Sequence, residues 1–332
     1  MTRMLRTAAL ALLALSVMLM AIGAPGATWR ELQFMGTIAL ATVFTRSMSA
    51  RYGISALSLG MGVTTLFVIG AGHAMTSAGI ETTEGIGNWG VVPLVEEAVK
   101  LAPVAIVVWL YARRRRFAPN PSDLLMLGCF AGAGFALVEN FQLFQQGGGI
   151  ARDMARQYGP HLGPLYLVPG AWGAAGYVGH AAATGLICGG YGLGLALRER
   201  AAAYWWAIPA ACAAWILIEH MFVNLYVNTG SSFALMLGNG RLTPWLFTLV
   251  SAAVVALDVI RHRATIARSA VLARRVAMTR AAMMRMLPGA RPPVPKSRPA
   301  AVMMFLSQLR AVNLTAWYIR DKTPVAVRME TV

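Results

Sequence analysis

Acidic residues are scarce in this 332-residue chain: 13 Asp and Glu stand against 29 Lys and Arg, and only 13% of residues are charged. Soluble domains carry about 25% charged residues, so a chain this poor in them cannot clothe a water-facing globule. Cysteine is scarce as well. The three present, Cys129, Cys188 and Cys212, lie in apolar runs without CxxC spacing, which excludes a secreted disulfide scaffold. They read as small buried hydrophobes and say nothing about redox compartment. HExxH, GxSxG, a P-loop and GxGxxG are missing from any fitting context, so several common chemistries lack their parts. No internal repeat is evident.

Apolar residues are what the chain has in excess, at 57% with a mean hydropathy of +0.58. That excludes a disordered chain and a conventional soluble enzyme, and it requires lipid to solvate much of the surface. A bilayer core of ~30 Å takes about 20 helical residues to cross. Eight apolar stretches are that long or nearly so: 7–24, 32–49, 54–79, 90–111, 124–145, 165–197, 203–228 and 242–261. Open strands would leave backbone groups unpaired in lipid, so each stretch is expected to be a helix. The expected fold is all-α, a polytopic membrane helix bundle of about eight transmembrane helices with a basic C-terminal tail. The first stretch follows Arg3 and Arg6 and is followed by small residues at 21–27, as a signal peptide would be. A retained helix is preferred because the charge topology works with it.

With the N-terminus in the cytoplasm, the inside segments before the tail hold ten arginines and the outside segments four, as the positive-inside bias requires. Beyond residue 260, fourteen Lys and Arg are opposed only by Asp321 and Glu330, which places three quarters of the net charge of +16 in the tail. A tail of this kind beside a bilayer is read as a contact for anionic lipid, not for nucleic acid. Both termini are expected on the cytoplasmic side of the cell membrane. Within the tail, 264–287 is expected as an interfacial amphipathic helix, followed by a Pro-rich linker and a short apolar piece at 302–319. The longest outside connection, 147–170, is glycine-rich and is read as lying over the site or re-entering the membrane. The expected organisation is 1–89 as N-terminal transmembrane helices, 90–228 as a catalytic core, 229–261 as the last transmembrane helix and 262–332 as the basic tail.

Ionisable residues at mid-bilayer cost about 2.5–3.5 kcal/mol each on insertion scales and usually mark function. This chain carries them on four separate stretches. Glu96, Glu97 and Lys100 stand at i,i+4 and i,i+3, so the lysine can neutralise either carboxylate. Two carboxylates beside one cation leave one negative charge for a metal or another cation to hold. Glu139 stands one turn from Phe135 with Asn140 beside it, on a helix thinned by Gly128, Gly132 and Gly134. His180 lies among glycines and alanines. His220 and Asn224 share a face, while Glu219 points about 100° away from His220. Each group alone is explained equally well by interhelical ion pairing or hydrogen bonding. Together, two histidines and an isolated glutamate supply the nitrogen and oxygen ligands of an open zinc site. A further carboxylate can serve as general base on a metal-bound water, and Asn224 or Asn140 can donate to a developing oxyanion. Asp258, one turn from the cytoplasmic end, is expected to snorkel towards Arg261 or His262.

Glu96-Glu97-x-x-Lys100, Phe135-x-x-x-Glu139, His180 and His220-x-x-x-Asn224, in that order on successive helices, resemble the PrsW family of intramembrane proteases. That family is related to the CAAX-prenyl-protease and bacteriocin-processing group. The resemblance covers about 90–228 and leaves the N-terminal helix and the tail unexplained. It implies a membrane-embedded, metal-dependent endopeptidase cutting a membrane-anchored protein; the substrate of the family's namesake is an anti-sigma factor. It also implies that Glu96 and Glu97 are an essential acidic pair and His180 an essential histidine. Glu139 stands where the related group has a histidine, and Thr184 receives no role. The reading is therefore zinc held by Glu139, His180 and His220, with Glu96 or Glu97 as the base, Lys100 tuning that pair and Asn224 assisting. Two other classes use the same residues: a cation or proton transporter with the Glu/His/Lys cluster as a relay, and a non-catalytic scaffold whose tail binds lipid.

Overall fold

The computed structural model describes residues 2–115, 119–145, 178–230, 242–268 and 274. All regular structure among the described residues is helical, in eight long helices that follow the eight apolar stretches in order. They are α1 (Thr2–Gly23), α2 (Pro25–Ala41), α3 (Ala50–Ser77), α4 (Val92–Arg115), α5 (Pro121–Gln145), α6 (His180–Ala201), α7 (Ala207–Thr229) and α8 (Thr243–Arg268). Five of them, α3 and α5 to α8, are long and apolar enough to cross a membrane. α1 contributes a shorter apolar segment, Leu10–Gly23. α2 has only 17 residues, and α4 carries Glu96, Glu97 and Lys100.

The second helix is displaced from its expected place at 32–49. Pro25 starts it at the first position, where a missing N–H costs nothing and a fixed φ suits the helix. Arg30 and Glu31, which broke the hydropathy run, lie inside the helix and are buried. Residues 42–48 then form a tight turn, with the Thr42 N–H donating to the Ile38 carbonyl at 3.0 Å and the Arg46 N–H to the Thr42 carbonyl at 2.9 Å. The sixth helix begins at His180, later than the stretch 165–197 implied, and residues 165–177 lie outside the described residues. Gly179, at φ 86°, immediately precedes it in a conformation that residues with a Cβ rarely adopt. The chain therefore turns into α6 at the residue before His180. The loop 147–170, the linker and the apolar piece at 302–319 are likewise outside the described residues. So is most of 264–287, although α8 continues to Arg268.

α5 is the hub. Every residue from Pro121 to Leu137 is buried, as befits a helix that is apolar on all sides. Its N-terminus is fixed by reciprocal caps: the Asp123 N–H donates to Asn120 Oδ1 at 3.0 Å, and the Asn120 N–H to Asp123 Oδ2 at 3.1 Å. The same carboxylate accepts the Met48 N–H at 2.7 Å and the Ser47 hydroxyl, which ties the 42–48 turn beneath α5. Instead of reaching towards water, Asp258 is fully buried and accepts the Ser122 N–H at 2.9 Å, one of the open N–H groups at the start of α5.

α6 lies along α5 on small residues. A Cβ at Gly132 would sit 2.7 Å from the carbonyl carbon of His180 and 2.9 Å from Thr184 Oγ1. Gly132→Ala is therefore expected to push the first turn of α6, and His180 with it, away from α5. Overpacking of this kind costs about 1–3 kcal/mol. The expected result is a lower thermal unfolding midpoint and a loss of activity larger than the stability change explains, measured on the purified variant.

Candidate metal centre

The centre forms where α4, α5, α6 and α7 meet. On α4, the fully buried Lys100 ammonium donates to Glu97 Oε1 at 2.7 Å and lies 3.6 Å from Glu96 Oε2, as the i,i+3 and i,i+4 spacings dictate. Its third neighbour is His180, whose Nδ1 accepts from Nζ at 2.5 Å. From α5, the Phe135 ring lies under the ammonium, 4.8 Å from its centroid, and meets the His180 ring edge-on at 4.9 Å. One turn further along the same face, Glu139 accepts from His180 Nε2 at 2.6 Å. The two histidines approach to 5.4 Å between ring centroids.

Chemistry fixes the tautomers. Lysine has only donors, so His180 Nδ1 accepts and Nε2–H points at Glu139; a metal held by Nδ1 would take the place of the Lys100 contact. His220 Nδ1–H donates to Glu97 Oε1 at 2.9 Å, which turns Nε2 towards Glu96 Oε2, 3.7 Å away. Each imidazole is thus backed by a carboxylate, the arrangement that orients and strengthens a ligating histidine. Glu96, Glu97, Lys100, His180 and His220 are all less than 9% exposed, whereas the Glu139 side chain is 31% exposed and forms the open side of the cluster.

The fit to a divalent cation rests on three observations. Glu96 Oε2 is buried and accepts no hydrogen bond. Glu96, His180 and His220 each offer one donor atom, all within 4.8 Å of one another. The two buried carboxylates, Glu96 and Glu97, against one ammonium leave one buried negative charge when the imidazoles are neutral, and that imbalance is costly without a counter-ion. Two ligands each about 2.1 Å from a zinc ion lie up to about 4.2 Å apart, so the gap between His220 Nε2 and Glu96 is one that a single ion spans.

Six of the seven residues singled out from the sequence therefore converge here: Glu96, Glu97, Lys100, Glu139, His180 and His220. The three donors that lie together are Glu96 and the two histidines; Glu139 serves His180 from the opposite side. Asn224 is elsewhere. Its amide donates to the Asn88 carbonyl at 3.3 Å, and Asn228 one turn on donates to Asn88 Oδ1 at 2.6 Å, which fastens α7 to the segment leading into α4. Glu219 faces α8, accepting the Thr243 hydroxyl at 2.6 Å, and that hydroxyl in turn accepts Trp215 Nε1–H at 2.7 Å. The sequence reading missed Glu31. The apolar spacing of Thr28, Phe34, Met35 and Ile38 around it was the available signal.

A buried acid and imidazole centre among helices of which five are long and apolar enough to cross a membrane defines an integral membrane protein. Residues 49–258, more than half of the chain, match the family described as PrsW family intramembrane metalloprotease, and the chain belongs to that family. It is accordingly a multi-pass intramembrane protease. Comparison with curated proteins and with solved structures found no match.

Proposed function

We propose that the chain is a zinc-dependent endopeptidase that cuts a membrane-anchored protein, with Glu96, His180 and His220 as the metal ligands. The observation that carries this reading is the orphaned Glu96 oxygen facing a His220 nitrogen whose other side is held by Glu97. Zinc bound there would supply Lewis acidity to the scissile carbonyl and to the attacking water. Glu97 keeps His220 in one tautomer, and Lys100 holds Glu96 and Glu97 side by side. Glu97 Oε1 already accepts from Lys100 and His220, which commits that oxygen to positioning. Glu139 is the exposed carboxylate, and we assign it the proton. Through one bridging water, because it contacts the far nitrogen of His180, it would take a proton from the attacking water as the oxygen–carbon bond forms and return it to the peptide nitrogen as the carbon–nitrogen bond breaks. Relative to the ligand set expected from the sequence, Glu96 and Glu139 exchange places. Asn224 positions α7 through Asn88.

The positive-inside count supports cytoplasmic termini and a tail resting on anionic lipid. The resemblance read from the motifs supports a membrane-anchored regulator, of the anti-sigma-factor kind, as the substrate. Glu139→Gln tests the assignment, because the amide oxygen still accepts from His180 while the base is lost. The expected outcome is purified protein that keeps its zinc, with cleavage lower by about 10²–10⁴-fold. The measurement compares new protein termini in membranes holding wild type or variant. Wild-type levels of those termini with Glu139→Gln would return the proton to the Glu96/Glu97 pair.

A further inference from the structure

Lys100 stands between His180 and any metal the centre would take. Its ammonium bridges Glu97 Oε1 at 2.7 Å and His180 Nδ1 at 2.5 Å, two acceptors 3.9 Å apart, and Glu96 Oε2 lies 3.6 Å away. The Phe135 ring lies on a further side, its centroid 4.8 Å from Nζ, and the lysine is fully buried. A neutral imidazole has one lone pair to give. His180 Nε2–H is directed at Glu139 at 2.6 Å, so the lone pair is on Nδ1, the nitrogen to which Lys100 donates. Zinc bonds an imidazole nitrogen at about 2.1 Å. An ammonium nitrogen 2.5 Å from the same atom leaves no room for it, and the two cations exclude one another at Nδ1.

Charge leads to the same conclusion. Glu96 and Glu97 are the buried carboxylates, and an ammonium with a divalent ion would bring three positive charges against those two. Like charges this close oppose one another strongly where water is excluded. The lysine has a place to withdraw to. Its pairing with Glu97 is set by the i,i+3 spacing on α4 and owes nothing to His180, and a flexible four-carbon stem lets Nζ leave Nδ1 while keeping that carboxylate. Resting on the metal-centre reading above, we propose that Lys100 regulates loading of the centre: its ammonium holds His180 Nδ1 against metal, and a divalent ion enters only as the ammonium withdraws onto Glu97. The lysine thereby steadies the acidic interior before loading and sets a metal affinity lower than the ligands alone would give.

The test uses purified full-length protein stripped of metal, zinc titrated against a competing chelator, and thermal unfolding with and without zinc. Lys100→Met is expected to bind zinc about 10-fold tighter than wild type or more, because a like charge has gone, and zinc should raise its unfolding temperature further than it raises that of wild type. Since that variant is expected to accumulate poorly, the same change is also made beside Glu97→Gln, where one positive and one negative charge leave together. This double variant should bind zinc about 10-fold tighter than Glu97→Gln alone or more. In wild type, the rate of zinc uptake should level off as zinc is raised, because departure of the ammonium comes first. A double variant that binds zinc no tighter than Glu97→Gln overturns the proposal and leaves the metal-centre reading standing. So does a wild-type uptake rate that climbs in proportion to zinc throughout. Wild type and variants that all bind no zinc bring down the metal-centre reading and this proposal together.

Discussion

Lys100→Met is expected to be the most damaging single change in this protein. The ammonium is fully buried and touches Glu97, Glu96, His180 and the face of Phe135. Methionine matches the length of the stem and removes only the charge, so Glu96 and Glu97 would stand side by side with no ammonium to offset them. Removing one partner of a buried ion pair costs about 3–5 kcal/mol, a large part of the roughly 5–15 kcal/mol that holds a typical domain together. The variant should accumulate poorly and, where recovered in detergent, unfold at a much lower temperature. Adding Glu97→Gln should restore a good part of the loss, since it removes the charge Lys100 lies closest to. A double variant no more stable than Lys100→Met alone would mean that the lysine acts through packing and not through that pair.

His220→Ala is the second. Both ring nitrogens are engaged, one by Glu97 at 2.9 Å and the other facing Glu96 at 3.7 Å, so alanine removes a proposed ligand and also leaves Glu97 with one donor fewer. Purified His220→Ala should carry no stoichiometric zinc and should yield no cleavage product above background, a loss of more than about 10³-fold if zinc ligation and proton transfer both depend on it. Glu97→Gln should be milder, losing about 10- to 100-fold in zinc affinity, because it removes only the carboxylate behind the ligand. Elemental analysis of the two proteins side by side gives the order. Zinc retained at wild-type stoichiometry in His220→Ala would remove His220 from the ligand set.

The sequence exposes some of this arrangement more readily than the rest. Helix existence and order are visible because runs of about twenty apolar residues have one stable form in lipid. The contacts within Glu96-Glu97-x-x-Lys100 and the shared face of Phe135 and Glu139 are local, so the helix period alone brings them together. The pairing of His220 with Glu97 spans 123 positions and depends on how α7 lies against α4, which no local pattern records. The same holds for Glu96 and Glu139: neither has a histidine near it in the sequence, and only the crossing of the helices decides which oxygen faces which ring. Glu31 was passed over because hydropathy treats a charged residue as a boundary, whereas it lies buried inside α2. Asp258 was placed within its helix, but no local pattern records that the start of α5 lies against it.

The seventeen consecutive buried positions of α5 bear on how the enzyme experiences its membrane. Over those positions the helix is wrapped on every side by its neighbours and has no acyl chains to adjust to, so hydrophobic mismatch acts first on the outer helices and reaches Phe135 only through them. Bilayer thickness would then tune proteolysis by tilting α4 and α7, which bring Glu96, Glu97 and His220, against a pillar that stays where it is.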